Sequence, residues 1–209
     1  NQGRQEASAT VSGGRAVSYR VTGAWREQNR VPGLAPDEEA FSRVWDFRST
    51  VRYGEPGGLQ MRGDATFLRE RQRWPVGGGF SGFNDNQGLS GWVEGRYPAA
   101  GGTVFARVLG QDYSHLYRSA RGDAPIAGAD EDRQEERLWR GTLGWSAALG
   151  NHGLDLGMEY SQREIASPDK LLEDQASDTQ IEAFAQDAWR LGATTLSAGV
   201  RGTFNDRWG

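Results

Sequence analysis

Few residues in this chain could do chemistry. Its 209 residues include two histidines and no cysteine. One histidine lies in DYSHLY, where Asp112 precedes His115 by three positions and Tyr113 and Tyr117 flank it. A histidine beside a carboxylate is the minimum of a general base, but no second partner accompanies Asp112, and no enzymatic activity is expected. Aromatic faces are the alternative. Trp74, Phe80 and Phe83 in WPVGGGFSGFNDN join Tyr113, His115 and Tyr117 as a candidate ligand-binding set, since such side chains stack on a chelate or a sugar. The competing role for the same six is structural: a girdle at a lipid–water boundary, or contacts between loops. His152, in GNHG, is expected to face solvent.

The remaining motifs carry little. The acidic runs PDEEA and GADEDRQEE lack the regular spacing of oxygen ligands in a calcium loop and read as solvated faces. RGD occurs at 62–64 and 121–123, once inside an alternating stretch and once in a polar one, and GVRGTF and GGGFSG have no strand–loop–helix setting to cradle a phosphate. No metal or cofactor is expected. A net charge of −4 with a pI near 5.3 supplies no basic field for nucleic acid.

The elements that must position these residues have a period of two. In RAVSYRVTGAW, Val17, Tyr19, Val21 and Trp25 alternate with Ser18, Arg20, Thr22 and Arg26. Trp45, Phe47, Val51 and Tyr53 share one parity, and Leu143, Trp145, Leu154, Leu156 and Met158 follow the same rule further on. The opposite parity holds Arg48, Arg52, Arg62, Asp64, Glu94, Arg96, Arg140, Asp155, Glu159 and Arg201. VFARVLGQDYSHLY breaks the pattern, with Phe105 and Leu109 in phase with Arg107 and Gln111, and a β-bulge is expected there.

Tight connections of small residues (SGG after Val11, EPGG at 55–58, AAGG at 99–102, GNHG at 150–153, GAT at 192–194) alternate with longer polar ones near 29–42, 73–87, 118–134 and 164–178. The expected fold is therefore all-β: an antiparallel up-and-down meander of about ten strands of roughly 10–14 residues, with all tight turns on one edge. Hydrophobic residues make up only 36% of the chain, yet 30 glycines accompany 22 aromatic side chains (8 Trp, 8 Phe, 6 Tyr). Alternation with charges on one face fits a transmembrane β-barrel wall, apolar to lipid and polar to a wet lumen. A soluble ligand-carrying barrel is the alternative, and the charged face and unequal connections count against it.

One hairpin carries a resemblance. FAQDAWRLGATTLSAGVR, through Phe184, Ala185, Gln186, Asp187, Trp189, Leu196, Ala198, Gly199 and Arg201, resembles the mid-barrel hairpin of TonB-dependent outer-membrane receptors, and ASATVSGGRAVSYRVTGAW resembles their early barrel strands. The resemblance implies a 22-stranded barrel in the outer membrane, plugged by an N-terminal domain. Such a barrel takes up an iron chelate, cobalamin, haem or a sugar on energy delivered through TonB. Residues 1–209 then form a barrel domain or barrel segment without plug or TonB box, with edge strands near Gln5–Val11 and Thr195–Asn205. A complete small outer-membrane barrel with a structural, adhesive or hydrolytic role is the alternative, and it requires those two strands to pair.

Overall fold

A computed structural model of the chain describes residues 3–29, 40–55, 57–77, 79–121, 124–125, 131–168, 170–171 and 173–206. Ten long strands are β1 (Arg4–Gly14), β2 (Val17–Gln28), β3 (Phe41–Gly54), β4 (Gln60–Gly77), β5 (Phe80–Ala99), β6 (Gly102–Arg121), β8 (Glu131–Leu149), β9 (His152–Ala166), β10 (Gln175–Leu191) and β11 (Thr194–Asn205); a two-residue strand β7 (Ala124–Pro125) caps the end of β6. The ten form one antiparallel sheet in chain order, β1 to β11, and β7 pairs only with β6. β1 and β11 stand at its two ends and do not pair, so the sheet is open. Among the described residues there is no helix.

The expected meander is present, with three differences. The strands run to 20 residues rather than 14. The connection expected at 73–87 is strand: β4 continues to Gly77 and β5 begins at Phe80, so a tight turn closes this hairpin on the edge that otherwise carries longer connections. A run of Gly and Phe between polar residues reads as loop, but cross-strand pairing from Arg73–Phe83 to Pro75–Ser81, resumed at Gly77–Phe80, holds it extended. Finally, β6 contains no bulge. Its register with β5 and β8 is continuous, and the irregularity lies instead at Pro75–Gly77, where proline removes a ladder donor. Phe105 and Leu109 simply share the polar face with Arg107.

Tight turns follow from local chemistry. Ala100 and Gly101 both have positive φ, at 50° and 72°, the pattern of a type I′ hairpin turn, whereas Gly150 and Gly192 supply the single positive φ of a type II′ turn. The first turn falls at Arg15–Ala16, slightly beyond the expected SGG.

Register assigns every side chain to a face. Arg48, Arg52, Arg62, Asp64, Glu94, Arg140 and Glu159 share one, and Trp45, Phe47, Val51, Leu143, Trp145, Leu154, Leu156 and Met158 share the other, as the alternation predicts. The polar face is knitted by ion pairs. Glu159 and Glu182 stand directly opposite each other, a like-charge conflict relieved by Arg140 at 3.2 Å from Glu159 and by Arg201 on Glu182. Arg96 reaches Glu94 at 2.7 Å, and Ser146 donates to Asp155 at 2.5 Å.

There is no conventional core. Ala40 and Ala147 are the only buried hydrophobic residues among those described, while Trp139, Leu143, Met158 and Val200 are more than half exposed. Each large apolar side chain left in water forgoes about 1.5–3 kcal/mol, so this face requires a non-aqueous cover. Along β3 the apolar stretch runs from Trp45 to Tyr53. On the neighbouring strands the same face turns charged toward the longer connections, from Arg137 in the row of Phe47 and Arg69 opposite Trp45 to Arg71, Asp85 and Arg133 in the row beyond.

Candidate functional site

The polar face of β4, β5, β6 and β8, at the edge carrying the longer connections, holds five of the six candidate residues. Three successive cross-strand rows build it. Trp74, Gly82 and Ser119 form the outermost, Gln72, Asn84, Tyr117 and Asp132 the next, and Glu70, Asn86, His115 and Gln134 the third. Tyr113 follows on the same face, opposite Gly88 and Glu136.

Glycine opposite each large ring makes the packing possible. A Cβ on Gly82 would come within 2.7 Å of the Trp74 indole, and one on Gly88 would lie 3.7 Å from the Tyr113 ring. Trp74 thus lies across bare backbone and meets Tyr117 with ring centroids 6.0 Å apart at 31°. The Tyr117 hydroxyl is 3.3 Å from Ser119 Oγ, and His115 Nδ1 is 2.5 Å from Asn86 Oδ1. Phe80 shares this face at the strand end and is 40% exposed, without a ring partner among the described contacts.

Phe83 is not part of the cluster. Its parity turns it to the opposite face, where Arg73 and Arg118 stack on its ring at 5.2 and 5.4 Å. Asp112 likewise turns away from His115 and pairs with Arg137 at 3.1 Å, so the sequence neighbours Asp112 and His115 form no acid–base pair. His152 is exposed, as expected of the turn; it opens β9, its ring stacks on Trp189 at 5.8 Å, and Nδ1 is 2.8 Å from Asp187.

Charge around the patch is compensated from its margins. The β9–β10 connection, folded on itself by the Ser167–Asp174, Ser167–Lys170 and Ser167–Leu171 backbone bonds, brings Lys170 to 2.6 Å from Asp132, beside Tyr117. Gln72 donates to Glu70 at 2.7 Å. The surface left to a ligand is thus made of aromatic faces, amides and hydroxyls, able to stack and to exchange hydrogen bonds. Among the described residues no cluster of His, Asp or Glu could hold a metal ion.

Sequence reasoning missed Asn84, Asn86, Gln134 and Lys170. The first two were within reach of the parity rule, since FNDNQG alternates faces, but treating 73–87 as a loop suspended that rule where it was needed, and Gln134 was lost in the same way to the connection expected at 118–134. It also passed over Trp92, which parity groups with Glu94 and Arg96. Its ring takes Arg107 at 4.5 Å and Arg62 at 5.3 Å, deeper on the polar face.

On the opposite face, Asp85 lies one row beyond the apolar stretch, where Arg69 and Arg71 both bond it, at 3.0 and 2.8 Å. Partial burial pushes the Asp85 carboxyl up, but these two guanidiniums outweigh it and hold it below the usual carboxylate range.

No protein-family profile and no curated protein sequence matches the chain. Solved structures do. A double mutant of the ferric enterobactin receptor PfeA of Pseudomonas aeruginosa superimposes with a TM-score of 0.69 at 14% identity, over 97% of this chain and 37% of the receptor. The siderophore receptor PirA of the same organism gives 0.68 at 14%, over 99% and 34%. The outer membrane transporter YddB of Escherichia coli gives 0.69 at 11%, over 97% and 34%. The chain spans about a third of the length of these solved proteins, and at such identities the likeness establishes the fold: an antiparallel strand meander of the outer-membrane β-barrel type.

Proposed function

We propose that residues 1–209 form part of the wall of an outer-membrane, TonB-dependent receptor that takes up a scarce nutrient such as a siderophore–iron chelate. The observation that carries this reading is the pairing of two unlike faces on one open sheet: an exposed apolar face that only lipid can cover, and a charged, ion-paired face suited to a wet lumen. Likeness to two siderophore receptors and an outer-membrane transporter supports it. In this reading the tight turns lie at the periplasmic edge, and the Trp74–Tyr117–His115–Tyr113 patch, with Phe80 at its rim, meets the incoming ligand in the upper lumen. A plug domain outside these residues supplies the coupling to TonB. The complete-small-barrel alternative needs β1 and β11 to bond each other, and no such pairing is present.

The test is uptake of labelled ferric siderophores by iron-starved cells whose only receptor is the full-length protein, as wild type and as Trp74→Ala and Tyr117→Ala. Loss of a stacking face predicts a drop of about tenfold in apparent affinity at unchanged outer-membrane abundance. Unchanged uptake by both variants would refute the ligand patch. Failure of the wild type to transport any chelate would refute siderophore uptake.

A further inference from the structure

Two pairs of like charges stand directly opposite each other on the polar face, and the wall neutralises only one of them. Glu159 and Glu182 are answered by Arg140 and Arg201. Arg52 and Arg62 are not: among the described residues no carboxylate lies within ion-pair distance of either, nor of exposed Arg20, diagonal to Arg52 on β2.

Register defines the surroundings of these guanidiniums. One row runs Ser18, Arg52, Arg62, Glu94 and Arg107, and the next, nearer the longer connections, runs Arg20, Thr50, Asp64 and Trp92. Its two carboxylates are outnumbered. Asp64 accepts from Thr50 Oγ1 at 2.8 Å, and Glu94, between Arg62 and Arg107, is held from its own strand by Arg96 at 2.7 Å. The Trp92 ring takes Arg62 and Arg107, and Arg107 Nε is buried without an acceptor. At the tight-turn end Arg15 and Glu55 add one charge of each sign.

Two open cavities meet at Arg52. One, of about 540 Å³, is lined by Ser12, Ser18, Arg20 and Thr50, and the other, of about 720 Å³, by Ser18, Gln60, Arg62 and Arg96; Arg52 lines both. β2, β3 and β4 are consecutive in the sheet, so Arg20 and Arg62 flank Arg52 on its two sides. The direct step to Arg62 is about 5 Å between Cβ atoms and the diagonal step to Arg20 about 7–8 Å. Two arginine stems together exceed either distance, so one oxyanion above Arg52 can meet all three. Toward the longer connections the same face presents Glu70, Asp132 and Glu136 instead, so a negative group finds its complement only deeper on the wall.

We propose that the polar face holds an oxyanion site centred on Arg52, between Arg20 and Arg62, which takes the carboxylate or phosphate groups of a small molecule. The site rests on the reading of this face as the wet lumen of a receptor, and it lies apart from the aromatic patch. Guanidinium forks bind oxyanions through paired N–H donors, and the Ser12 and Ser18 hydroxyls border the same space. The anion has two sources, acid groups of the nutrient itself or free inorganic phosphate.

Titration calorimetry of the detergent-solubilised full-length protein at low ionic strength tests it, with citrate as a polycarboxylate probe and inorganic phosphate as the free anion. The wild type should bind, and Arg52→Gln should weaken binding about tenfold, with Arg52→Lys intermediate because it keeps the charge and loses the fork. Arg190→Gln, which removes an exposed arginine from distant β10, should leave binding unchanged. Citrate held more tightly than phosphate supports the site and assigns it to the nutrient; phosphate held as tightly or more supports it as an inorganic-anion site. Binding of neither probe by the wild type, as when carboxylates from another part of the protein already cover Arg52, would overturn the proposal. So would equal binding by Arg52→Gln. Chelate uptake by a protein that binds neither anion defeats this proposal alone, whereas anion binding by a protein that transports no chelate defeats the receptor reading alone.

Discussion

Val51→Arg is the most direct test of which face meets lipid. The apolar stretch of β3 runs from Trp45 to Tyr53, a separation of eight residues or about 27 Å along the strand. With a strand tilt near 40°, that spans about 20 Å of depth. Val51 lies two residues from the central Ser49, about 7 Å along the strand and so about 5 Å from the middle of the band. Its register partners are Tyr19 and Gly63, neither of which can neutralise a cation, and its side chain is 45% exposed on the bare sheet. Arginine at the midplane of a barrel's lipid face costs about 2–4 kcal/mol; at this depth about 2–3 kcal/mol is expected. The control is Gln111→Arg on the polar face, between Ser90 and Leu138, expected within about 0.5 kcal/mol of the wild type. Urea titration of folding into phosphatidylcholine vesicles, using the full-length protein, measures both. Equal costs for the two substitutions, or less than about 1 kcal/mol for Val51→Arg, would refute the assignment of faces.

Other outcomes follow from local geometry. Ala100 holds a left-handed φ of 50° in a type I′ turn, so Ala100→Gly should stabilise by about 0.5–1 kcal/mol in the same titration. Gly157→Val, forced against the Phe184 ring, should cost about 1–3 kcal/mol, and Phe184→Ala in the same chain should recover part of it; additive losses would show that the ring is not the obstacle. Because its arginine partners hold Asp85 below the ordinary carboxylate range, the stability it contributes is fully present above that range and is lost as the pH falls below it, through the depressed value. Protection factors for hydrogen exchange at the β4–β5 tip, taken relative to the intrinsic rate at each pH, should therefore fall at acid pH in the wild type, and Asp85→Asn should show the lowered protection already at neutral pH.

Legibility in the sequence tracked how strongly each position was forced. The period of two is imposed by the pleat, so one parity pass over Val17–Trp25 or Leu154–Met158 was enough to assign faces, and glycine-rich turns such as 99–102 were found because their backbone needs positive φ. The β4–β5 tip was misread because Gly and Pro punctuate loops in most contexts, whereas here Gly82 clears room for the Trp74 indole and Pro75 sits at a bulge. In β6 a mixed face was mistaken for a bulge. A lumen wall tolerates Phe105 and Leu109 beside Arg107 because water and cation–π contact, such as Arg96 on Phe105 at 5.9 Å, satisfy both kinds of side chain. The aromatic patch was nameable residue by residue, but its assembly depended on register across strands. That information resides in pairs distant along the chain, such as Asn86 with His115 and Asp132 with Tyr117.

The bulge at Pro75–Gly77 bears on how this hairpin can change over evolutionary time. Pairing in register means that a one-residue insertion in either strand inverts every side chain beyond it, sending Tyr117's neighbours to the lipid side and the arginines inward. Viable length variants should therefore arise in steps that add residues to both strands together, or an even number to one, so that the tip grows and shrinks in quanta while the wall below keeps its orientation. Odd steps are tolerated only where a bulge absorbs the extra residue. Pro75 pairs with Ser81 and Gly77 with Phe80, so one such residue is already accommodated between them, and the strand tip is the place where a single insertion or deletion can pass without turning the ligand-facing wall inside out.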